Sequence, residues 1–344
     1  MTAGDTGLPP VYGLGSDGSA ILRSGANVTM QELYETVGYL ANVTTKNGVD
    51  TGLGYGAGSY NPELNAITNT AAGVPNFVNL TIDLGATLTC SIYGDGSDNK
   101  NGIIWIAASN LTTINGTITA SSKGYNYGVG GAGGGTGQYG SPGLGNSPGQ
   151  GGIRGGRGGG VGGAGGSPAY GSSDIPLTTW SNLYGSGGGG GGGSSFRTSR
   201  GISFSTSGGG GGGAAHISNG DSGTYGGNWS GGETGDGSRG GYGSGAIRIY
   251  TNSLNIGTGT ISANGENGVD AAGGGAASGG GGGSGGTVYI EILSSAILGT
   301  NKITSSAGAR GASSGGDGYG GAGKQGRIHI VGSYTGSTSD PVIA

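Results

Sequence analysis

Residues that could carry acid–base, nucleophilic or metal chemistry are few and scattered in this sequence. His216 and His329 lack a metal-ligand spacing, so we expect His329 on a strand face and His216 in a loop. The stretch DGSDNKNG, which begins at Asp95, resembles a calcium loop but misses the glycine and distal glutamate of an EF-hand, which favours a plain turn. The glycine runs lack the Lys-Ser/Thr ending of a phosphate-binding loop. We therefore predict no catalytic residue, no metal site, no cofactor and no enzymatic activity.

Cys90 is the one cysteine of the chain, so no disulfide can form within it. It lies in LTCSIY, where Leu88, Cys90 and Ile92 alternate toward one face. A small apolar residue in such a pattern is typical of a buried strand position. We predict that Cys90 is a core residue and not a nucleophile.

Composition excludes several classes of protein. Glycine accounts for 95 of the 344 residues, but there is no Gly-X-Y period and proline is scarce, which excludes collagen. Only 9% of residues are charged and the net charge is −4, whereas disordered chains usually carry more charge. With no basic stripe, we expect no nucleic-acid partner. No apolar run is long enough for a membrane span.

Two sequence features bear on where the protein is found. The segment that begins at Met1 has neither a basic region nor an apolar stretch, so we expect no secretory signal peptide. The chain has six Asn-X-Ser/Thr sequons, about as many as chance gives, so they are weak evidence for glycosylation. They lie at Asn27, Asn42, Asn79, Asn110, Asn115 and Asn228.

A repeat lies among the glycines and predicts the elements of the fold. Similar segments begin at Gly102, Gly245, Gly286 and Gly326, and the last three follow one another at a period of about 40 residues. Each segment alternates apolar and polar residues, as in GAIRIY and GGTVYIEI, and a second short strand such as GTISANG follows after a turn. Arg248, Tyr289, Glu291 and His329 point away from the apolar side. Because one such unit cannot bury its own apolar face, the units must stack.

The fold class predicted from this pattern is all-β, with stacked short strands in a β-solenoid or β-prism arrangement. Four regions follow: an N-terminal attachment or oligomerisation region (1–76), first strand units (77–123), a glycine-rich insertion (124–244) and repeated strand units (245–344). In the first region, a capping box at Thr29 and Glu32 predicts one short helix from about Met30 to Ala41. Its apolar face packs either within the chain or against another subunit.

The insertion 124–244 has no convincing strand or helix pattern. Glycine loses the most backbone entropy on ordering, so an ordered glycine segment needs contacts that no other residue could make. Polyproline-II-type glycine helices can approach closely and exchange backbone hydrogen bonds with several neighbours. We therefore predict polyglycine-II helices in the insertion, with the backbone itself as the core.

Islands of aromatic residues interrupt this glycine. Loops on a rigid scaffold commonly carry recognition residues, and exposed Trp and Tyr give large contact area at low entropic cost. Two interpretations are open: the aromatics contact a receptor, or they wedge between glycine helices as a local core. The receptor-contact candidates are Trp180, Tyr184, Phe196, Phe204, Tyr225 and Trp229.

The segments GTITASS, GTISANG, GSGAIRIY, GGTVYIEI and GRIHIV, with long glycine-rich inserts between them, resemble glycine-rich tail-fibre and adhesin-like virion proteins of bacteriophages. The resemblance covers roughly residue 77 to the C-terminus, and secreted prokaryotic surface proteins share the pattern. It implies a structural or binding protein of a virion that contacts a host surface glycan or protein. The expected partners are copies of itself, as a trimer or filament, and other virion proteins. The alternative is a subunit of an extracellular filament or surface layer, located at the cell surface.

Overall fold

The computed structural model describes residues 12–14, 20–29, 76–90, 103–124, 193–199, 202–208, 228–229, 238–271, 279–313 and 320–339. These residues form sixteen β-strands, and no helix occurs among them. The all-β prediction is confirmed for this part of the chain. The predicted helix from Met30 to Ala41 lies outside the described residues.

Two mainly parallel sheets contain thirteen of these strands. The larger sheet, here the first sheet, has the order β1-β2-β4-β6-β11-β13-β15, with β16 also beside β13; every pairing is parallel except β1 with β2. Its strands are β1 (Tyr12–Leu14), β2 (Ala20–Leu22), β4 (Asn76–Ile82), β6 (Ile103–Ile114), β11 (Ala246–Ile256), β13 (Thr287–Thr300), β15 (Arg327–Val331) and β16 (Tyr334–Ser337).

The second sheet is parallel throughout and has five strands in the order β14-β12-β7-β5-β3. Each of these strands follows its first-sheet partner after a short turn, so a unit is one strand of each sheet. They are β3 (Asn27–Thr29), β5 (Thr87–Thr89), β7 (Thr117–Thr119), β12 (Thr260–Ser262) and β14 (Ile303–Thr304). A separate antiparallel sheet has the order β10-β9-β8, formed by β8 (Gly193–Ser199), β9 (Ile202–Gly208) and β10 (Asn228–Trp229).

The strand register follows the sequence repeat. Ile247 of β11 lies opposite Ile104 of β6 on one side and Val288 of β13 on the other, and Val288 lies opposite Ile328 of β15. Because side chains alternate across a strand, this register places the apolar residues, which occupy every second strand position, on one face of the sheet. These four residues are fully buried. The repeat in the sequence is therefore a repeat of stacked strand units.

The buried side chains of the two parallel sheets form a single apolar cluster. The second sheet contributes one apolar residue from each strand, all at most 2% exposed: Val28, Leu88, Ile118, Ile261 and Ile303. Fully burying one such side chain contributes about 1.5–3 kcal/mol relative to exposing it. Cys90 is buried in the same cluster, as predicted.

Glycine-rich segments continue the units beyond their strands and bond to each other at every third residue. In segment 279–286, the amides of Gly280, Gly283 and Gly286 donate to carbonyls of the preceding segment 263–271. The amides of Gly282 and Gly285 donate to segment 320–326. Carbonyls of the same segment accept amides from segments 238–245 and 305–313. Its backbone therefore bonds to four neighbouring segments.

The number of neighbours explains where glycine is needed. Segment 279–286 is buried at every residue and reads GGGGGSGG, so only Ser284 has a side chain. A Cβ at Gly283 would overlap the carbonyl oxygen of Tyr242, and one at Gly280 would overlap that of Arg239. Segment 305–313, which is partly exposed, keeps glycine only at Gly308 and Gly311. Thus glycine occupies the positions at which another backbone passes.

The structure adds strands in two regions for which the sequence predicts none. In the region 1–76, β2 and β3 form a strand unit, with Leu22 opposite Ile82 and Val28 opposite Leu88. The insertion 124–244 was given no strand pattern, yet β8, β9 and β10 lie within it. The regular glycine segments that the structure describes begin at residue 238, and the glycine-rich stretches 125–192 and 209–227, for which glycine helices are predicted, lie outside the described residues.

Candidate functional site

The insertion leaves and rejoins the stack at one point. Strands β6 and β11 are direct neighbours in the first sheet, as are β7 and β12 in the second, although more than a hundred residues separate them along the chain. The amide of Gly124 donates to the carbonyl of Gly243 at 2.7 Å, which joins the two ends of the insertion. The stack therefore runs past the insertion without a gap.

The antiparallel sheet within the insertion brings three of the six receptor-contact candidates into one element. Phe196 of β8 lies opposite Ser205 of β9, and Ser205 lies opposite Trp229 of β10. Phe204 lies one position away, opposite Arg197. Trp180, Tyr184 and Tyr225 lie outside the described residues.

A second group of polar residues occupies the outer face of the first sheet, meaning the face opposite Ile247. In the row that runs across β11, β13 and β15, Arg248 lies opposite Tyr289 and Tyr289 opposite His329. In the row before it, Thr287 lies opposite Arg327. The side directions that the alternation predicted are correct, but Arg248, Tyr289 and Arg327 are only 3–6% exposed. This outer face is buried as well as polar.

Tyr289 is the centre of this group, which we call the arginine–tyrosine cluster (Arg248, Thr287, Tyr289, Glu291, Arg327 and His329). The guanidinium of Arg248 lies 5.2 Å from the centre of the Tyr289 ring, and the His329 ring stacks on the same ring at 5.3 Å. The Tyr289 hydroxyl donates to Glu291 Oε2 at 3.3 Å. Burial, followed by the charge of Glu291, raises the pKa of Tyr289, so this phenol stays neutral.

Arg327 is the cluster member with the least compensation for its charge. Its Nε donates to Thr287 Oγ1 at 3.2 Å, and its Nη2, which is buried, has no hydrogen-bond partner within the described part of the chain. Burial lowers the pKa of Arg327 to about 10. Burial also lowers the pKa of Arg248, but there the charges of Tyr289 and Glu291 oppose the shift. Among the described residues, no carboxylate therefore lies beside the buried charge of Arg327.

A third polar group lies among the glycine segments and is fully paired. Arg239 donates from Nη1 and Nη2 to the two carboxylate oxygens of Glu266, at 3.0 and 2.8 Å, and the amide of Tyr242 donates to Glu266 Oε2 at 2.9 Å. Burial raises the pKa of Glu266, but these hydrogen bonds outweigh burial, so the net pKa lies below its usual value. The pair ties segment 238–245 to segment 263–271.

The outer face of the second sheet carries hydroxyl groups in register. Thr89 of β5, Thr119 of β7 and Ser262 of β12 lie in one row, and Thr87, Thr117 and Thr260 in the row before it. The hydroxyl of Thr89 donates to the Thr119 carbonyl at 2.9 Å, and that of Ser262 to Thr119 Oγ1 at 2.8 Å. These bonds link neighbouring units to each other, which gives the row a structural role.

His329 lies on β15, the strand position that the sequence predicted, and His216 lies outside the described residues. Within the described ranges, no three His, Cys, Asp or Glu side chains lie close enough together to hold a metal ion. None of the described residues belongs to a helix that is long and apolar enough to cross a membrane.

No protein-family model, curated protein or solved structure matches this chain. The arginine–tyrosine cluster was also not identified as a site from the sequence. The sequence signal for it was the alternation, which places Arg248 on the polar side of its strand. Alternation gives the face of a residue but not its burial, so the sequence predicted only a direction for Arg248 and made no prediction for Arg327.

Proposed function

We propose that this protein is a structural and binding component of a virion, of the tail-fibre or adhesin type, and that the insertion 124–244 contacts the host surface. The supporting observation is the backbone hydrogen bond between Gly124 and Gly243, which holds the two ends of the insertion together. A rigid stack that continues past an insertion is a scaffold on which the insertion can vary freely, and recognition residues concentrate on such segments. The residues that resemble phage tail proteins support the same assignment.

We further propose that the whole stack is a β-solenoid in which the glycine-rich segments are polyglycine-II helices. The spacing of three residues between successive bonds of segment 279–286 supports this, because a polyproline-II-type helix has three residues per turn. Hydrogen exchange tests it. The amides of Gly280, Gly283 and Gly286 should exchange orders of magnitude more slowly than those of a random coil, and random-coil rates would contradict the proposal.

Removing the insertion tests the binding role. Residues 125–237 are replaced by a flexible linker of about ten glycine and serine residues, so that segment 238–245 keeps its hydrogen bonds to segments 263–271 and 279–286. The labelled variant and the intact protein are compared for adsorption to a panel of bacterial and archaeal cells. We expect the intact protein to adsorb to some of these cells and the folded variant to adsorb to none. Equal adsorption of both proteins would contradict a binding insertion.

A filament or surface-layer subunit is the second candidate, and the end of the stack favours it. Among the described strands β15 is the last in the order of the first sheet, and Val331 at the end of β15 and Tyr334 at the start of β16 are each 39% exposed. A further parallel strand from another copy could continue the sheet there. Electron microscopy of the intact protein separates the candidates: filaments that Val331→Asp abolishes support the second, and single particles contradict it.

A further inference from the structure

The glycine segments that precede β11, β13 and β15 lie side by side and form a layer, here the first glycine layer (238–245, 279–286 and 320–326). Backbone hydrogen bonds join its segments, from Gly241 to the carbonyl of Gly281 and from Gly282 to that of Gly321. The segments that follow β12 and β14 form the second glycine layer (263–271 and 305–313), which bonds to one side of the first. The other side of the first glycine layer continues into the outer face of the first sheet.

The amide of Gly281 is directed to this other side. Successive amides of a chain with three residues per turn point in three different directions. Gly280 and Gly283 donate to the second glycine layer, and Gly282 donates sideways to the next segment of its own layer. The direction that remains for Gly281 leads away from the second glycine layer.

Two further amides are equivalent to that of Gly281. Gly240 and Gly321 occupy the same position in the neighbouring segments, because the register of β11, β13 and β15 extends into the first glycine layer. All three glycines are buried, and none of their amides has a hydrogen-bond acceptor among the described residues. Buried backbone amides are almost always paired, so acceptors belong on this side of the layer.

The outer face of the first sheet gives an independent sign of the same cover. Arg248, Tyr289 and Arg327 lie at the ends of the strands next to the first glycine layer and are only 3–6% exposed. Further along β13 on the same face, Ile297 is 58% exposed. On these strands, burial of the outer face therefore coincides with the part that adjoins the first glycine layer.

We propose that this side of the first glycine layer, together with the adjoining outer face of the first sheet, is the docking surface for residues 125–192 of the same chain. The docked stretch supplies the carbonyl acceptors for Gly240, Gly281 and Gly321 and covers Arg248 and Tyr289. It fixes the first part of the insertion on the stack, so the later part is held in one orientation. This inference goes beyond the binding role and does not depend on it.

The chemistry of the surface selects this occupant. Its acceptors must approach bare glycine closely and recur every three residues, as the backbone carbonyls of a polyproline-II-type glycine chain do. The runs RGGRGG and VGGAGG, between Arg154 and Gly166, repeat two glycines and one other residue with a period of three. Gly124, the residue before the stretch, donates to Gly243 of the first glycine layer at 2.7 Å, so the stretch begins at this layer. It is long enough for several segments like 279–286.

Residue-resolved hydrogen exchange tests the docking with two adjacent glycines as a matched pair. In the intact protein, we expect the amides of Gly280 and Gly281 to exchange equally slowly. In the folded variant whose residues 125–237 are replaced by the linker, Gly281 should exchange about a hundredfold faster. Gly280 should keep its protection, because its acceptor is the carbonyl of Val269. Fast exchange of Gly281 in the intact protein, or unchanged protection in the folded variant, would overturn the proposal.

Photo-crosslinking of the full chain keeps the proposal testable if the linker variant does not fold. Tyr289 is replaced by the photoreactive residue p-benzoylphenylalanine, and Ile297, on the exposed part of the same face, is replaced in the control. We expect mass spectrometry to find cross-links from position 289 to peptides of 125–192 and none from position 297. Cross-links from position 289 to residues 30–75, or between isotope-labelled and unlabelled copies, contradict the proposal. Neither measurement involves cells, so a failed adsorption experiment leaves both results interpretable.

Discussion

At the scale of single residues, the packing of this protein depends on glycine, which has no side chain. Segment 279–286 lies among four neighbouring backbones, and its amides and carbonyls bond to all of them. Ordering glycine in this segment costs more conformational entropy than ordering any other residue. Backbone hydrogen bonds, each contributing about 1 kcal/mol net, offset this cost. A methyl group at the wrong position removes several of these bonds together.

Replacing Gly283 by alanine should therefore be strongly destabilising. The new Cβ would overlap the Tyr242 carbonyl, so segments 238–245 and 279–286 must separate. We expect a loss of about 3 kcal/mol in the free energy of unfolding, measured by urea denaturation. Ala309→Ser is the control, since Ala309 is exposed in a neighbouring glycine segment and should change stability by less than about 0.5 kcal/mol. Equal effects of the two substitutions would show that the close approach is absent.

Glu266 should make stability depend on acid pH. Its pKa is lowered in the folded state, so the carboxylate stabilises the fold above its ordinary pKa of 4.5, and this contribution is lost as the pH falls through that value and then through the folded pKa. Arg239 and Glu266 are about one-third exposed, so we expect less than about 1 kcal/mol. Urea midpoints of the protein and of Glu266→Gln should converge as the pH falls. A difference that stays constant below pH 4.5 would contradict this role.

At the scale of elements, each strand is specified by alternation and positioned by its neighbours. Ile261 lies at the centre of β12, between Ile118 and Ile303, and is fully buried. Ile297 lies on β13 but is 58% exposed. The two isoleucines have the same strand propensity and differ in burial, which makes them a matched pair.

Truncating this pair separates burial from propensity. Ile261→Ala leaves a cavity between the two sheets and should lower the free energy of unfolding by about 2–5 kcal/mol. Ile297→Ala should lower it by no more than about 1 kcal/mol, because little buried surface is lost. Urea denaturation of both variants provides the comparison. Similar losses would mean that intrinsic strand preference, and not the shared core, determines stability here.

The sequence was informative where a pattern is local and repeated. The period of about 40 residues predicted that Ile247, Val288 and Ile328 share a register, and they do. The unit of β2 and β3 was missed because its strands have three residues each, too few for alternation to be recognised. Burial of Arg248 and Arg327 could not be predicted, since it depends on what covers the outer face of the sheet. The six aromatic candidates stay a prediction.

At the scale of the whole molecule, stability should be distributed along the stack and not held in one centre. Each unit bonds to the unit before it and the unit after it, so the total is approximately a sum of unit terms and nearest-neighbour terms. Among the described strands, Ile247 pairs with both Ile104 and Val288, whereas Ile328 pairs with Val288 alone, because β15 is the last of these strands in the order. An end unit thus has half the support of a central one.

Alanine substitutions at Ile247 and Ile328, which are equally buried, should therefore destabilise different numbers of neighbouring strands. Ile328→Ala is expected to increase hydrogen exchange in β15 and β16 while β6 and β11 keep their protection, because loss of the last unit removes one interface only. Ile247→Ala weakens interfaces on both sides and should increase exchange in β6, β11 and β13 together. Mass spectrometry of exchanged peptides from each variant measures both patterns. If Ile328→Ala raised exchange uniformly over all described strands, the molecule would be one cooperative unit and the nearest-neighbour description would be wrong.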